Sequence, residues 1–160
     1  MSSDSSLSDD NSAVGSGAAQ SSAAASGFKG AVSSRLPLQL RFSDTDKLGH
    51  INNAVYATYA EVGRLTFLRE IGVEVATVIL ARLAIDFRRQ VRLGEDCVIE
   101  SRVVGIGNSS FELKQTLYAN DELAAEFQAV MVWFDYQRQT PAPIPAAVRR
   151  LLRGDQGDPG

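Results

Sequence analysis

Asp44-Thr45-Asp46-Lys47-Leu48-Gly49-His50-Ile51-Asn52-Asn53 runs directly into Ala54-Val55-Tyr56-Ala57-Thr58-Tyr59-Ala60-Glu61-Val62-Gly63-Arg64-Leu65-Thr66-Phe67-Leu68. The second half decides the fold. Val55, Tyr59, Val62 and Thr66 recur at helical spacing, and so do Tyr56, Ala60, Gly63 and Phe67. Apolar residues therefore cover most of the circumference of a helix predicted from Ala54 to about Ile71, and such a helix is expected to be buried on several sides. Gly72 is the expected C-cap. The first half supplies chemistry. Two aspartates, a turn glycine, the only histidine and two amides precede the helix start. A helix N-terminus offers unpaired N–H groups and the positive end of a dipole, which can hold a negative oxygen. A carboxylate beside it can act as base or nucleophile. Together they suggest attack on a carbonyl, with the oxyanion bound by backbone amides.

Outward from the helix, only strands are predicted. Leu36 to Phe42 alternates, with Pro37 suited to a strand start or an edge. Val78 to Phe87 alternates through Ile79, Ala81, Leu83 and Ile85. Cys97 to Val104 follows a turn at Gly94-Glu95-Asp96, and Gly105-Ile106-Gly107 reads as a hairpin turn before Phe111 to Tyr118. Asn120-Asp121 separates that strand from Leu123 to Tyr136, whose nearly continuous apolar run suggests a central strand or a subunit contact that continues the sheet. Pro141, Pro143 and Pro145 are expected to end the sheet before a short helix at Ala146 to Arg153. Segregated elements of this kind predict an α+β fold, with a five-stranded antiparallel sheet wrapped around one long central helix.

Composition narrows the function. The chain has 160 residues, 44% of them hydrophobic, enough for one domain with a real core. Residues 1–34 are Ser, Ala, Gly and Asp with few large apolar side chains, and are expected to form a disordered low-complexity tail. Residues 35–153 are the expected domain and residues 154–160 a second tail. The formal net charge is −3, which gives no general attraction to nucleic acid. One cysteine, Cys97, and one histidine rule out an intrachain disulfide, Cys-rich zinc sites and two-histidine metal motifs. No apolar run is long enough for a membrane span. The N-terminus lacks a signal-peptide pattern, and a transit peptide is the weaker reading because three aspartates come early and no arginine precedes Arg35. The cytoplasm is the default expectation.

At this point the chain resembles a hotdog-fold thioesterase of the 4-hydroxybenzoyl-CoA thioesterase type. The residues that carry the likeness are Arg41-Phe42-Ser43-Asp44-Thr45-Asp46, then Gly49-His50-Ile51-Asn52-Asn53, then Tyr56, Tyr59, Glu61 and Arg64, with a supporting match at Asp86 to Asp96. The resemblance covers about Leu36 to Tyr136. It implies hydrolysis of acyl-CoA or acyl-carrier thioesters with no metal or organic cofactor. It implies that Asp46 is the catalytic carboxylate and that the Asn53 backbone N–H is the oxyanion donor. A second branch of the family uses a helix glutamate, and the matching position is Glu61. The chain departs from the pattern at Arg89-Gln90, where a proline is usual, and at Asn52-Asn53, where the 4-hydroxybenzoyl enzyme has aromatic residues. The resemblance further implies a homodimer, or a homotetramer built from dimers, with sites shared between subunits.

Beside that likeness each residue has a bland reading. Asp46 and Asp44 suit Asx turns, Asn53 suits an N-cap, and Glu61 can pair with Arg64 one turn on. His50 has no Gly-x-Ser-x-Gly partner for a triad, and is expected to bond within the loop or to help place substrate or Asp46. Gly49 supplies a backbone angle that other residues resist, and Asn52 and Tyr56 are expected at the substrate. Arg88, Arg89 and Arg92 are candidates for the phosphates of CoA, or else solvated charges at a strand end. A non-catalytic acyl-CoA-binding or assembly module, or a hydratase or dehydratase on the same fold, stands as the alternative to a thioesterase of small or medium acyl-CoA.

Overall fold

The computed structural model describes residues 32–155. The expected tail at residues 1–31 and the last residues, 156–160, lie outside them. The elements run β1 (Ser33–Leu38), α1 (Asn53–Glu70), β2 (Val78–Phe87), β3 (Cys97–Ile106), β4 (Ser110–Ala119), β5 (Glu122–Asp135), β6 (Thr140–Pro141) and α2 (Ala146–Arg153), with short 3-10 turns at Phe42–Asp44 and Val75–Thr77. The main sheet has the order β1-β3-β4-β5-β2, every neighbour antiparallel, and β6 adds two residues alongside the end of β5. The fold class is the expected α+β, one long helix against a curled antiparallel sheet.

The helix covers the sheet with one face. Tyr56, Tyr59, Ala60, Gly63, Arg64, Phe67 and Leu68 are buried. The Tyr56, Ala60, Gly63, Phe67 stripe is thus entirely inside, whereas Val62 from the second stripe is 43% exposed. The expectation of burial on several sides is therefore not met among the described residues: the sheet reaches only one side. Two apolar clusters flank the helix, one around Tyr56, Ile99, Leu117 and Phe127, the other around Phe67, Val103, Phe111 and Leu152. Gln115 lies between Leu113 and Leu117 on β4, fully buried. Its amide donates to the Ala60 carbonyl at 3.0 Å and to Ser101 Oγ at 2.9 Å, tying helix to sheet.

The ends of α1 follow from local chemistry. Asn52 is the N-cap, extended at φ −60 and ψ 135, and its side chain accepts from the Ala54 N–H at 3.0 Å. Asn53, expected as the cap, is the first helical residue instead. At the far end Gly72 has φ +79 and follows the C-cap Ile71. The Gly72 N–H donates to the Arg69 carbonyl and the Val73 N–H to the Leu68 carbonyl, a Schellman closure.

Four boundary readings are corrected. β1 begins at Ser33, inside the stretch read as tail, because Ser33 and Ser34 pair with Arg102 and Ser101 of β3. It ends at Leu38 opposite Cys97, where β3 itself begins, so Leu40 and Phe42 continue the alternation without a partner, and Phe42 is 83% exposed. Gly105 and Ile106 belong to β3, and the hairpin tightens one step later, with the Gly107 N–H donating to Ser110 O. Pro141 lies within β6 rather than ending the sheet. The long apolar β5 is paired on both sides, to β4 and to β2, so it cannot continue the sheet into a second subunit. Among the described residues the free edges of the main sheet belong to β1 and β2.

Candidate active site

A cleft of about 470 Å³ opens at the N-terminal end of α1. Asp46, His50, Ile51, Asn52 and Asn53 form one wall, with Tyr56 from the first turns of the helix. Phe87, Arg88, Arg89 and Gln90, at the end of β2, form the other. The Tyr56 and Phe87 rings meet edge to face at 5.0 Å across it.

The Asp44–Asn53 segment folds back on itself. Thr45 bridges to Ile51, the Asp46 N–H donates to the His50 carbonyl at 2.7 Å, and the Gly49 N–H donates to the Asp46 carbonyl at 3.1 Å. Gly49 adopts φ +77 with open space around an added Cβ, so its backbone angle, not crowding, selects glycine. The two aspartates have opposite surroundings. Asp44 is buried, and its Oδ2 accepts from the Tyr59 hydroxyl at 2.9 Å and from the Arg41 N–H at 3.0 Å. Burial pushes its carboxyl up, but those two bonds and the Arg41 charge outweigh it and leave it below the usual carboxylate range. Tyr59 pays the reciprocal shift, being driven well above the ordinary tyrosine range by burial and by the adjacent carboxylate.

Asp46 is exposed. Its Oδ1 accepts from the Leu48 N–H at 2.8 Å and from the His50 N–H at 3.0 Å, and no protein donor reaches its Oδ2 among the described residues. The His50 N–H above all, opposed by burial and helped by the Leu48 N–H and the His50 ring, holds the carboxyl below its ordinary value of 3.8. The result is an anion at neutral pH with one oxygen free. The His50 ring lies against the cleft with both nitrogens shut off from solvent and without a hydrogen-bond partner among the described residues. The Asn53 N–H makes no hydrogen bond among the described residues, while its neighbours at 52 and 54 are satisfied by the Asp44 carbonyl and the Asn52 side chain.

The remaining expected residues fall outside this constellation or are already engaged. Glu61 is exposed and absent from the cleft lining, and it makes no ion pair with Arg64 among the described residues. Arg64 is buried, and burial pulls its guanidinium down. Arg88 is bound to Glu126 through two nitrogens, and Arg89 donates to Glu95, to the Ala119 carbonyl and to Gln90 O. Arg92 is exposed and outside the lining, its backbone paired opposite His50 and its side chain without an ion pair among the described residues. Cys97 is buried at the start of β3, and burial pushes its thiol up to about 11, which makes it inert as a nucleophile. Sequence reading missed the Asp44–Tyr59 bond and the contribution of Phe87. Phe87 closes the β2 alternation, but only the sheet order shows which helix end it faces.

The thioesterase-like superfamily sequence model matches residues 40–152, the site loop and nearly all of the sheet included. The chain belongs to the thioesterase-like superfamily. Among curated superfamily relatives, the acyl-acyl carrier protein thioesterase ATL3, chloroplastic, of Arabidopsis thaliana is 31% identical over 121 residues, 70% of this chain and 63% of that protein. The chain therefore spans less than two thirds of that relative's length. A Thermus thermophilus thioesterase solved with coenzyme A and zinc is 35% identical, with a TM-score of 0.71 over 79% of this chain and 96% of that one. The 4-hydroxybenzoyl-CoA thioesterase of a Pseudomonas strain shares the fold, at a TM-score of 0.69 and 14% identity over 74% of this chain and 98% of its own. The superfamily member described here thus has the hotdog arrangement that its sequence resembles. No helix among its described residues is long and apolar enough to cross a membrane.

Proposed function

We propose that the protein hydrolyses thioesters of small or medium acyl groups on coenzyme A. The observation that supports this most strongly is the shared cleft. A carboxylate with one open oxygen and a helix N-terminus with an unspent N–H line the same space, in a chain of the thioesterase-like superfamily. The thioester carbonyl would point at the Asn53 N–H, which receives the growing negative charge of the tetrahedral intermediate. Asp46 would act through Oδ2, either by taking the proton of a water that attacks the carbonyl, or by attacking the carbonyl itself. In both routes the C–S bond breaks and CoA leaves as its thiolate. In the second, water then hydrolyses the acyl-aspartyl anhydride to the free acid and restores the carboxylate. His50 would turn a ring nitrogen, unpaired among the described residues, to the bound ester. Tyr56 and Phe87 would flank the acyl group, with Gly49 and Asn52 shaping the wall. Arg92 is the cation we assign to a CoA phosphate, because Arg88 and Arg89 are committed to carboxylates.

The test is thiol release measured with a disulfide dye over a panel of acyl-CoA and acyl-carrier thioesters. Asp46→Asn is expected to lower kcat by about 10²–10⁴ with the fold intact. Wild-type turnover by Asp46→Asn would remove Asp46 from the chemistry, and Glu61→Gln would then be the next variant. Binding of CoA esters without thiol release would identify an acyl-CoA-binding module instead.

We propose a homodimer as the working unit, or a tetramer built from such dimers. The free β2 edge forms one wall of the cleft, and Phe42, Leu48 and Val62 are exposed on the same protomer. A second copy placed along β2 would cover an unpaired strand and complete the open side of the site.

A further inference from the structure

The near limb of the site loop is tied to α1 through a single residue, and that residue is not the one assigned to chemistry. Asp44 grips α1 in two places. Its carbonyl accepts from the N–H of the N-cap Asn52 at 2.9 Å, and its carboxylate accepts from the Tyr59 hydroxyl farther along the same helix. Both donors to that carboxylate, the Tyr59 hydroxyl and the Arg41 main-chain N–H, converge on one oxygen, Oδ2. Asp44 and Tyr59 are only 6% and 4% exposed, so water does not compete for this bond. Asp46 follows two residues later, where the chain has left the interior and Asp46, Lys47, Leu48 and Gly49 are all exposed. No packing holds the tip. The far limb is tied elsewhere, the Ile51 N–H to the Val91 carbonyl at 2.8 Å and His50 across to Arg92.

We infer that Asp44 and Tyr59 are a positioning pair: their buried hydrogen bond fixes the near limb of the loop to α1 and so sets where the Asp46 carboxylate stands relative to the Asn53 N–H. The inference rests on the reading of Asp46 as the reacting carboxylate. A displacement of about 1 Å in a reacting group costs up to roughly 100-fold in rate, while substrate contacts elsewhere are kept. The pair should therefore act on kcat and leave KM nearly alone.

Tyr59→Phe removes one hydroxyl and keeps the buried ring. It is expected to lower kcat by about 10–100-fold with KM within about twofold. Asp44→Ala, which also loses the Arg41 contacts, should be at least as slow, and the double variant should be no slower than Asp44→Ala, because Tyr59→Phe then has no bond left to break. Asp44→Asn keeps an oxygen able to accept both donors and is expected to restore kcat to within about threefold of wild type. A readout independent of turnover is the carbon-13 titration of the Asp46 carboxyl. It should lie below 3.8 in the wild type and rise towards that value in Tyr59→Phe, as the Leu48 and His50 N–H groups lose their alignment. Wild-type kcat in Tyr59→Phe, independent losses in the double variant, or an Asp44→Asn as slow as Asp44→Ala would each overturn the inference. If Asp46→Asn turns over normally, the assignment of Asp46 has failed. The titration then decides the pair by itself, and an unmoved Asp46 carboxyl in Tyr59→Phe overturns it.

Discussion

Asp44 and Asp46 stand two residues apart and meet different physics. Both suit an Asx turn, so spacing alone cannot separate them. What separates them is a tyrosine 15 positions past Asp44, whose hydroxyl draws one carboxylate into the core and leaves the other in the cleft. The pH dependence follows from the Asp46 environment. Its carboxyl is held below the ordinary value of 3.8 in the folded protein, so it is charged at that pH and takes up a proton only as pH falls further. A protonated Asp46 neither accepts a proton nor attacks. The profile of kcat/KM for free enzyme is thus expected to have no acid limb above 3.8 arising from this group, and to fall below it. A limb centred near neutrality would assign the essential ionisation to another residue. The ten contiguous residues of the loop were legible because their chemistry is local. The commitments of Arg88 and Arg89 were not, because Arg88 meets Glu126 only once β2 pairs with β5, and Arg89 meets the Ala119 carbonyl only at the end of β4.

For the elements, the start of α1 offers a cleaner probe than the sequence promised. Asn53 is the first helical residue, a position where proline is well tolerated, and Asn52 already has the extended backbone that precedes a proline. Asn53→Pro deletes the candidate oxyanion donor while the helix and its cap survive. We expect unchanged helicity by circular dichroism and a kcat lower by about 10²–10³. The middle of the helix gives a stability prediction of opposite sign to propensity. Alanine normally stabilises a helix by about 1 kcal/mol over glycine. At Gly63, however, an added Cβ lies 2.8 Å from Gln115 Nε2 and 3.0 Å from Ile99 Cγ2. Gln115 cannot retreat without releasing Ser101 and Ala60. Gly63→Ala should therefore destabilise by about 1–3 kcal/mol, read as a thermal midpoint several degrees lower. The helix and the β2 strand were readable from periodicity, since apolar spacing is intrinsic to each segment. The limits of β1 were not, because Ser33 and Ser34 become strand only through their partners in β3.

For the whole molecule, the five main strands and the class followed from the order of the segments, but the two-residue β6 and the lateral order did not. A long apolar run reads alike whether it is covered by its own sheet or by another copy. β5 is covered by its own sheet, and the candidate seam moves to β2. Sedimentation velocity at micromolar concentration is expected to show a dimer or a tetramer and no stable monomer. A single monomeric boundary would contradict the shared-site arrangement.

The pairing of β2 has a cost in time. It is made early and finds its only described neighbour in β5, after β3 and β4 have been synthesised. A chain leaving the ribosome must keep Val-Ile-Leu-Ala-Arg-Leu-Ala-Ile-Asp-Phe, with one arginine, one aspartate near its end and no proline or lysine to guard it, from adhering to other nascent chains. Refolding yield should fall steeply as protein concentration rises, and a chaperone that shields short apolar segments should restore it.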